Sequence, residues 1–245
     1  MKVLGIDIGG SAVKGAPVDT KTGRLLAERH RIETPGRLTP VAMAKTLAEI
    51  ARHFQWRGPI GVGFPGVIQG PRIRTSANLH PRFVGCDGVR LFGRATGCRV
   101  VLVNDADAAG LAEIRFGAGR GMAGTVLLLT LGTGVGSALF TAGRLYPNSE
   151  IGHLPTRGKS AERYISAAAR KRRGLDWEEW GRDLGDYIHI LEDILWPELI
   201  IIGGGVSAKH HKYFKYIKPR ARLVPARFFN EAGIVGAALW AAEQP

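Results

Sequence analysis

Short apolar runs recur along the chain, separated by segments in which apolar residues return every three or four positions. Each run is rich in leucine or β-branched residues and bounded by Gly, Pro or Asp, which is typical of a buried strand. The runs are KVLGIDIG, PIGVGF, RVVLVN, TVLLLTLG and ELIIIGGG. The pattern therefore predicts five buried strands.

Four segments between and after these runs have helical periodicity. TPVAMAKTLAEIARHF opens with Thr39 as N-cap and Pro40 at the first helical position. WEEWGRDLGDYIHILEDILW places Leu184, Ile188 and Leu191 on one face. The other two segments are AAGLAEIRFGAG and AGIVGAALWAAE. Because strands alternate with helices, we predict an α/β protein.

Glycine-rich turns follow two of the predicted strands, in VLGIDIGGSAVKGAPVD and in VLLLTLGTGVGSALFTAG. In each, a second strand-like segment follows the turn. Glycine lets backbone N–H groups approach an anion closely, so either turn could bind phosphate. An ordinary tight hairpin is the alternative for each. No G-x-x-x-x-G-K-[ST] sequence is present, which excludes the common P-loop nucleotidases.

Composition favours a globular, reducing-compartment protein. The 45% hydrophobic content suffices for a large core. The first residues, MKVLGIDIGG, contain too few consecutive apolar residues for a secretion signal. No apolar run approaches the ~18 residues needed to span a membrane. Cys86 and Cys98 are too few for a disulfide scaffold. We therefore expect a cytoplasmic protein with no membrane partner.

The net charge of +13 is concentrated in two tracts. Residues 157–173 contain seven basic residues and one acid, Glu162, and residues 199–230 contain seven basic residues and no acid. Such an imbalance indicates a polyanionic partner, while a solvated helix face is the alternative for each tract.

Polar residues interrupt the chain where a buried strand is predicted to meet a helix. In VVLVNDADAAG, Asn104, Asp105 and Asp107 stand at this junction, where charge is costly unless it has a partner or a chemical role. Asp is a preferred N-cap residue, and we assign the capping role to Asp107.

Seven motifs along the chain carry a family resemblance: GIDIGGSAVKG, GFPGV, NDADAAGLAE, LGTGVGS, EIGH, AERYIS and IIGGG. In this order they resemble the ROK sugar kinases of the actin/hexokinase superfamily, and among these the polyphosphate glucokinases. The resemblance implies two ribonuclease-H-like α/β lobes with an interlobe cleft. The lobes would comprise residues 1–115, joined by a C-terminal helix over 232–245, and residues 116–231.

The resemblance also implies roles in the transfer of a phosphoryl group to the 6-hydroxyl of glucose. Asp105 would be the general base that takes the hydroxyl proton, and Asn104 would hold a neighbouring hydroxyl. The implied sugar-binding residues are Gly66, Asn78, Asn104, Asp105, Glu150, His153 and Glu162. Many ROK proteins carry a cysteine-rich zinc loop after the histidine, but LPTRGKSA has no cysteine, so we expect no zinc.

On the donor side, the resemblance implies that Asp7 orients Mg²⁺ through water and that Lys14 neutralises a phosphate oxygen. The implied donor-binding residues are Asp7, Gly9, Gly10, Ser11, Lys14, Gly132, Thr133, Gly134 and Gly204. Both tracts together hold more Lys and Arg than ATP requires, so we predict inorganic polyphosphate as the main donor. The candidate polyphosphate track is Arg157, Lys159, Arg170, Lys171, Arg172, Arg173, Lys209 and Lys212.

Several alternatives stay open at this point. ATP as a second donor and mannose as a second acceptor remain open, and an ATP-dependent sugar kinase with an incidental basic surface is the main rival. A ROK repressor would need a DNA-binding helix-turn-helix before the first strand, which begins at Lys2. The basic tracts lack a nucleic-acid-binding signature, so we expect no nucleic-acid partner. The resemblance implies a homodimer.

Overall fold

The computed structural model describes residues 1–34, 36–76 and 79–244. The strands are β1 (Lys2–Ile8), β2 (Ala12–Asp19), β3 (Arg24–Leu25), β4 (His30–Glu33), β5 (Ile60–Phe64), β6 (Ile68–Gln69), β7 (Arg72–Ile73), β8 (Val100–Asn104), β9 (Thr125–Leu131), β10 (Val135–Thr141), β11 (Arg144–Tyr146), β12 (Pro155–Thr156), β13 (Lys159–Ser160), β14 (Leu199–Gly203) and β15 (Arg222–Pro225). The helices are α1 (Pro40–His53), α2 (Gly88–Thr96), α3 (Asp105–Phe116), α4 (Glu162–Ile165), α5 (Ala167–Arg173), α6 (Trp177–Leu195) and α7 (Ala232–Glu243).

The chain divides into two compact units, each with its own sheet. One unit comprises Met1–Ala112 with Glu231–Pro245, and the other comprises Glu113–Asn230. The α/β class predicted from the sequence is confirmed, as are the five buried strands and the four helical segments.

The sheet of the first unit has the strand order β3-β2-β1-β5-β8, with β4 also paired to β2. Strands β1, β5 and β8 are parallel, and β2 is antiparallel to β1. One face of the sheet packs against α1, where Leu4 and Ile6 join Leu47 and Ile50 in a buried cluster. This arrangement brings the carboxyl ends of three parallel strands to one edge of the sheet.

Helix α7 covers the other face of this sheet at very short range. A Cβ atom added to Gly5 would lie 2.0 Å from the carbonyl oxygen of Ile234, and one added to Gly61 would lie 1.8 Å from that of Ala237. Only glycine permits this backbone-to-backbone packing. The two glycines therefore set the depth at which α7 lies on the sheet.

The sheet of the second unit has the strand order β11-β10-β9-β14-β15, in which β14 is parallel to both β9 and β15. Helix α6 packs on it through Leu184, Ile188 and Leu191, which are fully or almost fully buried as predicted. Asp176 and Glu179 form a reciprocal capping box that starts α6.

The start of α1 agrees with the sequence prediction. The hydroxyl of Thr39 accepts a hydrogen bond from Ala42 N at 3.3 Å, which confirms Thr39 as the N-cap of α1. Among the described residues, no helix combines the length and apolarity needed to cross a bilayer.

Replacing Gly61 with alanine should lower the free energy of unfolding by about 3 kcal/mol, because the new methyl group would collide with the α7 backbone. Urea denaturation of purified protein measures the loss. Gly93→Ala is the matched control, because its added Cβ would meet Cys98 O at 3.4 Å, an ordinary van der Waals distance. Equal stability of the two variants would contradict close packing of α7.

Candidate active site

Three polar groups of the first unit converge at the carboxyl edge of its parallel strands. Asp7 is paired in register with Gly63 of β5, and Phe64 of β5 is paired with Asn104 of β8. Asp105 follows directly as the first residue of α3. Ligands of open α/β sheets bind at this kind of edge, so the fold places the predicted base and the predicted metal-binding carboxylate where chemistry is expected.

Asp7 has a confined carboxylate with a lysine opposite it. Lys14 of β2 is its register partner across the antiparallel pair. Gly233 of α7 packs on the carboxylate, since an added Cβ would lie 2.8 Å from its Cγ and Oδ1. Burial raises the pKa of Asp7, and the positive charge of Lys14 partly opposes this rise. A carboxylate is a common Mg²⁺ ligand, and a bound cation would offset the cost of this buried charge.

The turn between β1 and β2 presents backbone to solvent. Gly9 N donates to Ala12 O at 3.0 Å, and Ser11 O accepts from Thr34 N at 3.0 Å. Gly10 and Ser11 are exposed, and nothing lies within 4 Å of a Cβ added to Gly10. The tip of this turn is therefore open to an anion, as a phosphate-binding turn requires.

Asn104 joins the start of α3 to the Gly66 turn. Its Oδ1 accepts from Ala106 N at 2.8 Å and from Asp107 N at 3.0 Å, and its Nδ2 donates to Gly66 O at 3.2 Å. Asn104 is therefore the N-cap of α3, and the prediction that Asp107 caps this helix was wrong. Asp107 lies two residues inside the helix and is buried. Hydroxyl binding by Asn104 stays a prediction.

Asp105 is half-buried at the first position of α3. Its Oδ1 accepts from Ala106 N at 2.9 Å, which orients the carboxylate. The fold thus gives Asp105 a fixed position at the sheet edge. Asn78, also predicted to contact sugar, lies outside the described residues.

The second unit brings three predicted sugar-binding residues together. His153 Nε2 lies 3.4 Å from Glu150 Oε2, and His153 Nδ1 lies 3.9 Å from Glu162 Oε1. Burial raises the pKa of Glu150, His153 lowers it and Glu162 raises it further. Two carboxylates and an imidazole in contact can bind several hydroxyl groups of one sugar.

The second glycine turn borders this cluster. A Cβ added to Gly134 would lie 2.6 Å from Glu162 Oε2, and Gly132 O accepts from Ala168 N at 3.1 Å. Thr133 at the tip is exposed. Gly204 adopts φ +79°, and a Cβ added there would lie 2.5 Å from Leu131 O. The two glycine segments predicted to bind donor are thus neighbours in this unit.

Acids of α6 neutralise part of the candidate polyphosphate track. Arg157 pairs with Asp183 at 2.7 Å and with Asp186 at 2.6 Å, and Arg173 pairs with Asp183 at 2.7 Å. Charge spacing along the chain did not reveal these pairs, because Asp183 lies 10 residues beyond Arg173 and 26 beyond Arg157. The first basic tract is therefore less positive than its composition indicates.

The two basic tracts meet at Trp177. The guanidinium of Arg170 lies 3.8 Å from the centre of the Trp177 ring, and Lys212 Nζ lies 6.0 Å from it. Arg172 donates to Arg163 O at 3.0 Å. The remaining candidates are exposed, namely Lys159, Lys171 and Lys209. Within the described residues, no three His, Cys, Asp or Glu side chains converge as a metal site.

The ROK family profile matches residues 3–166. The chain belongs to the ROK family. It is 44% identical to the polyphosphate glucokinase of Mycobacterium tuberculosis strain H37Rv over 96% of this chain and 89% of that protein. The polyphosphate glucokinase of Mycobacterium leprae is 40% identical over 96% of this chain and 73% of that protein.

Solved structures of ROK proteins share the fold. The inorganic polyphosphate/ATP-glucomannokinase of Arthrobacter sp. strain KM is 45% identical, with a TM-score of 0.95 over 100% of this chain and 99% of that chain. A Streptomyces griseus ROK glucokinase, solved with glucose and AMPPNP, has a TM-score of 0.83 at 24% identity over 100% of both chains. The actin/hexokinase-like α/β fold implied by the sequence motifs is confirmed.

Changing Asn104 to alanine should cost about 1 kcal/mol of stability, because α3 loses its cap. Asn104→Ser keeps a side-chain oxygen that can accept from the helix N–H groups, so its stability should fall less than that of Asn104→Ala. The serine variant still lacks the hydrogen bond to Gly66 O. Chemical denaturation compares them, with Thr39→Ala as the reference for losing a cap. Equal losses in the alanine and serine variants would contradict the capping role.

Proposed function

We propose that this protein transfers a phosphoryl group from inorganic polyphosphate to the 6-hydroxyl of glucose. The observation that carries the proposal is 44% identity, over 96% of the chain, to a polyphosphate glucokinase. The Arthrobacter structure, 45% identical, is named for both polyphosphate and ATP. A kinase that uses ATP alone is therefore the less favoured alternative, while ATP as a second donor and mannose as a second acceptor belong to the proposal.

Asp105 is the proposed general base. It removes the proton of the 6-hydroxyl as that oxygen forms a bond to the terminal phosphorus, and the phosphoanhydride bond to the rest of the donor breaks. The leaving group is polyphosphate one unit shorter. Phosphoryl transfer depends mainly on positioning and charge neutralisation, so one carboxylate held by Ala106 N suffices for the acceptor.

The sugar is held by Glu150, His153 and Glu162. A carboxylate accepts strong hydrogen bonds from hydroxyl groups, and the His153 ring lies between the two acids. The proximity of the three side chains supports their proposed role in binding the sugar and orienting its 6-hydroxyl.

In the first unit, the open turn at Gly10 and Ser11 and the Lys14 side chain are the proposed donor-binding groups. In the second unit, the Gly132–Gly134 turn is the proposed phosphate-binding segment. Asp7 would hold Mg²⁺ through water, and the ion would neutralise charge on the donor phosphates. The confined carboxylate of Asp7 supports this assignment. A cytoplasmic location and a homodimer complete the proposal; composition supports the first and the family resemblance supports the second.

Asp105→Asn should lower kcat by about 10²–10⁴-fold without loss of stability, because the amide keeps the bond from Ala106 N but cannot take a proton. The assay measures glucose 6-phosphate formed with Mg²⁺ and either long-chain polyphosphate or ATP. Asp193→Asn, an exposed residue of α6, is the control and should match the wild type. Retention of most activity in Asp105→Asn would reject the base, and faster turnover with ATP than with polyphosphate would favour the alternative donor.

The KM for glucose should rise on acidification at a higher pH than an ordinary glutamate would produce. Burial raises the pKa of Glu150, so its carboxylate becomes protonated earlier as the pH falls and accepts hydroxyl hydrogen bonds less well. Glu150→Gln should raise this KM at neutral pH and remove the pH dependence, leaving the KM for the donor unchanged. Glu49→Gln, at an exposed position of α1, should keep the wild-type profile. An unchanged profile in Glu150→Gln would reject the role of Glu150.

A further inference from the structure

The strand register places a third charged residue, Arg31, in line with the Asp7–Lys14 pair. Lys14 is the partner of Asp7 across β1 and β2, and Arg31 is the partner of Lys14 across β2 and β4. Directly opposed residues of antiparallel strands project from the same face, with Cβ atoms about 4.5–5.5 Å apart. Asp7, Lys14 and Arg31 therefore form one row across three strands.

The opposite face of β4 is occupied, which fixes the direction of Arg31. Ile32 packs against the core cluster that contains α1, and the His30 ring stacks on His53 of α1 with 3.9 Å between centroids. Because side chains alternate along a strand, Arg31 and Glu33 project from the face that carries Lys14. Both are exposed, with 44% of the Arg31 side chain accessible to solvent. Arg29 immediately precedes β4 and is partly buried.

Arg31 is held by one exposed acid. Its guanidinium donates to Glu33 Oε1 at 2.7 Å, and 77% of the Glu33 side chain is exposed. Exposed ion pairs contribute little to stability, so an anion with several charges can displace the carboxylate. Arg29 forms no ion pair with any residue in the described part of the chain.

We propose that Arg31 binds the part of the polyphosphate chain that extends beyond Lys14. The inference rests on the proposed polyphosphate donor and names a binding subsite on the first unit. Adjacent strands are about 4.8 Å apart, so Lys14 and Arg31 present successive positive charges to a chain with a negative charge on every unit. The planar guanidinium of Arg31 can hold two phosphate oxygens at once. Glu33 competes with phosphate for that guanidinium.

The test compares Arg31→Gln with Arg24→Gln. Arg24 is an exposed arginine of the same sheet, paired with Asp19, whose side chain projects from the opposite face. Arg31→Gln should raise the KM for long-chain polyphosphate about tenfold and make it less sensitive to salt, with kcat and the KM for ATP within twofold of wild type. Arg24→Gln should change neither KM. Equal effects on the two donors, or on the two variants, would overturn the inference.

Glu33→Gln should not raise the KM for polyphosphate, in contrast to Arg31→Gln. Removing the competing carboxylate should leave the KM for polyphosphate unchanged or lower it, whereas a purely structural Arg31–Glu33 pair would make Glu33→Gln resemble Arg31→Gln. A raised KM in Glu33→Gln would therefore reject the subsite.

Calorimetric titration of the protein with long-chain sodium polyphosphate separates this inference from the proposed donor. Weaker binding by Arg31→Gln than by the wild type supports the subsite. Wild-type turnover with polyphosphate, together with unchanged binding by Arg31→Gln, overturns the subsite alone. A wild-type protein that neither binds nor uses polyphosphate overturns both.

Discussion

Backbone-to-backbone packing of α7 against the first sheet fixes the position of Asp7 and Asp105 in that unit. Gly5 and Gly61 let the helix backbone touch the strands, and Gly236 brings the same helix against Ala108 of α3, where an added Cβ would lie 1.6 Å from its oxygen. Strand β1 carries Asp7 and α3 begins with Asp105. One buried helix therefore holds both carboxylate-bearing elements in place, and any side chain inserted beneath it would displace them together.

The two units use one local plan with different electrostatics. In each, a central strand runs through a glycine turn into an antiparallel partner and lies beside a parallel strand on its other side. The two glycine-turn segments that look alike in the sequence thus share the same strand arrangement. The first unit places the confined Asp7 carboxylate before its turn, whereas the second places the exposed hydroxyl of Thr133 in its turn. In the proposed mechanism, charge neutralisation would come from Lys14 and an ion held by Asp7 beside the first turn, while the second turn would offer hydrogen-bond donors.

Local signals in the sequence predicted the buried strands, the principal helices and the cap at Thr39, because apolar periodicity and capping depend on near neighbours in the chain. The edge strand β4 was missed, since its exposed polar residues give no apolar alternation. The cap of α3 was assigned to Asp107 instead of Asn104, because both are good cap residues and only the fold fixes where the helix begins. His153 lies close to Glu150 of its own motif, EIGH, and to Glu162 of the motif AERYIS. The family resemblance predicted that these residues act together, whereas composition alone could not.

Counting charges along the chain is a poor guide to where a polyanion binds. Arg157 lies in the densest basic tract, yet two carboxylates of α6 hold its guanidinium, and a phosphate would have to displace both. Arg31 lies in no such tract and is held by a single exposed carboxylate. Its register with Lys14 also continues a row that starts at Asp7, beside the proposed donor-binding turn. Whether a basic side chain can bind polyphosphate therefore depends on which acids already pair with it and on whether it lies in line with the proposed donor site. Both depend on the three-dimensional fold, and composition does not reveal either.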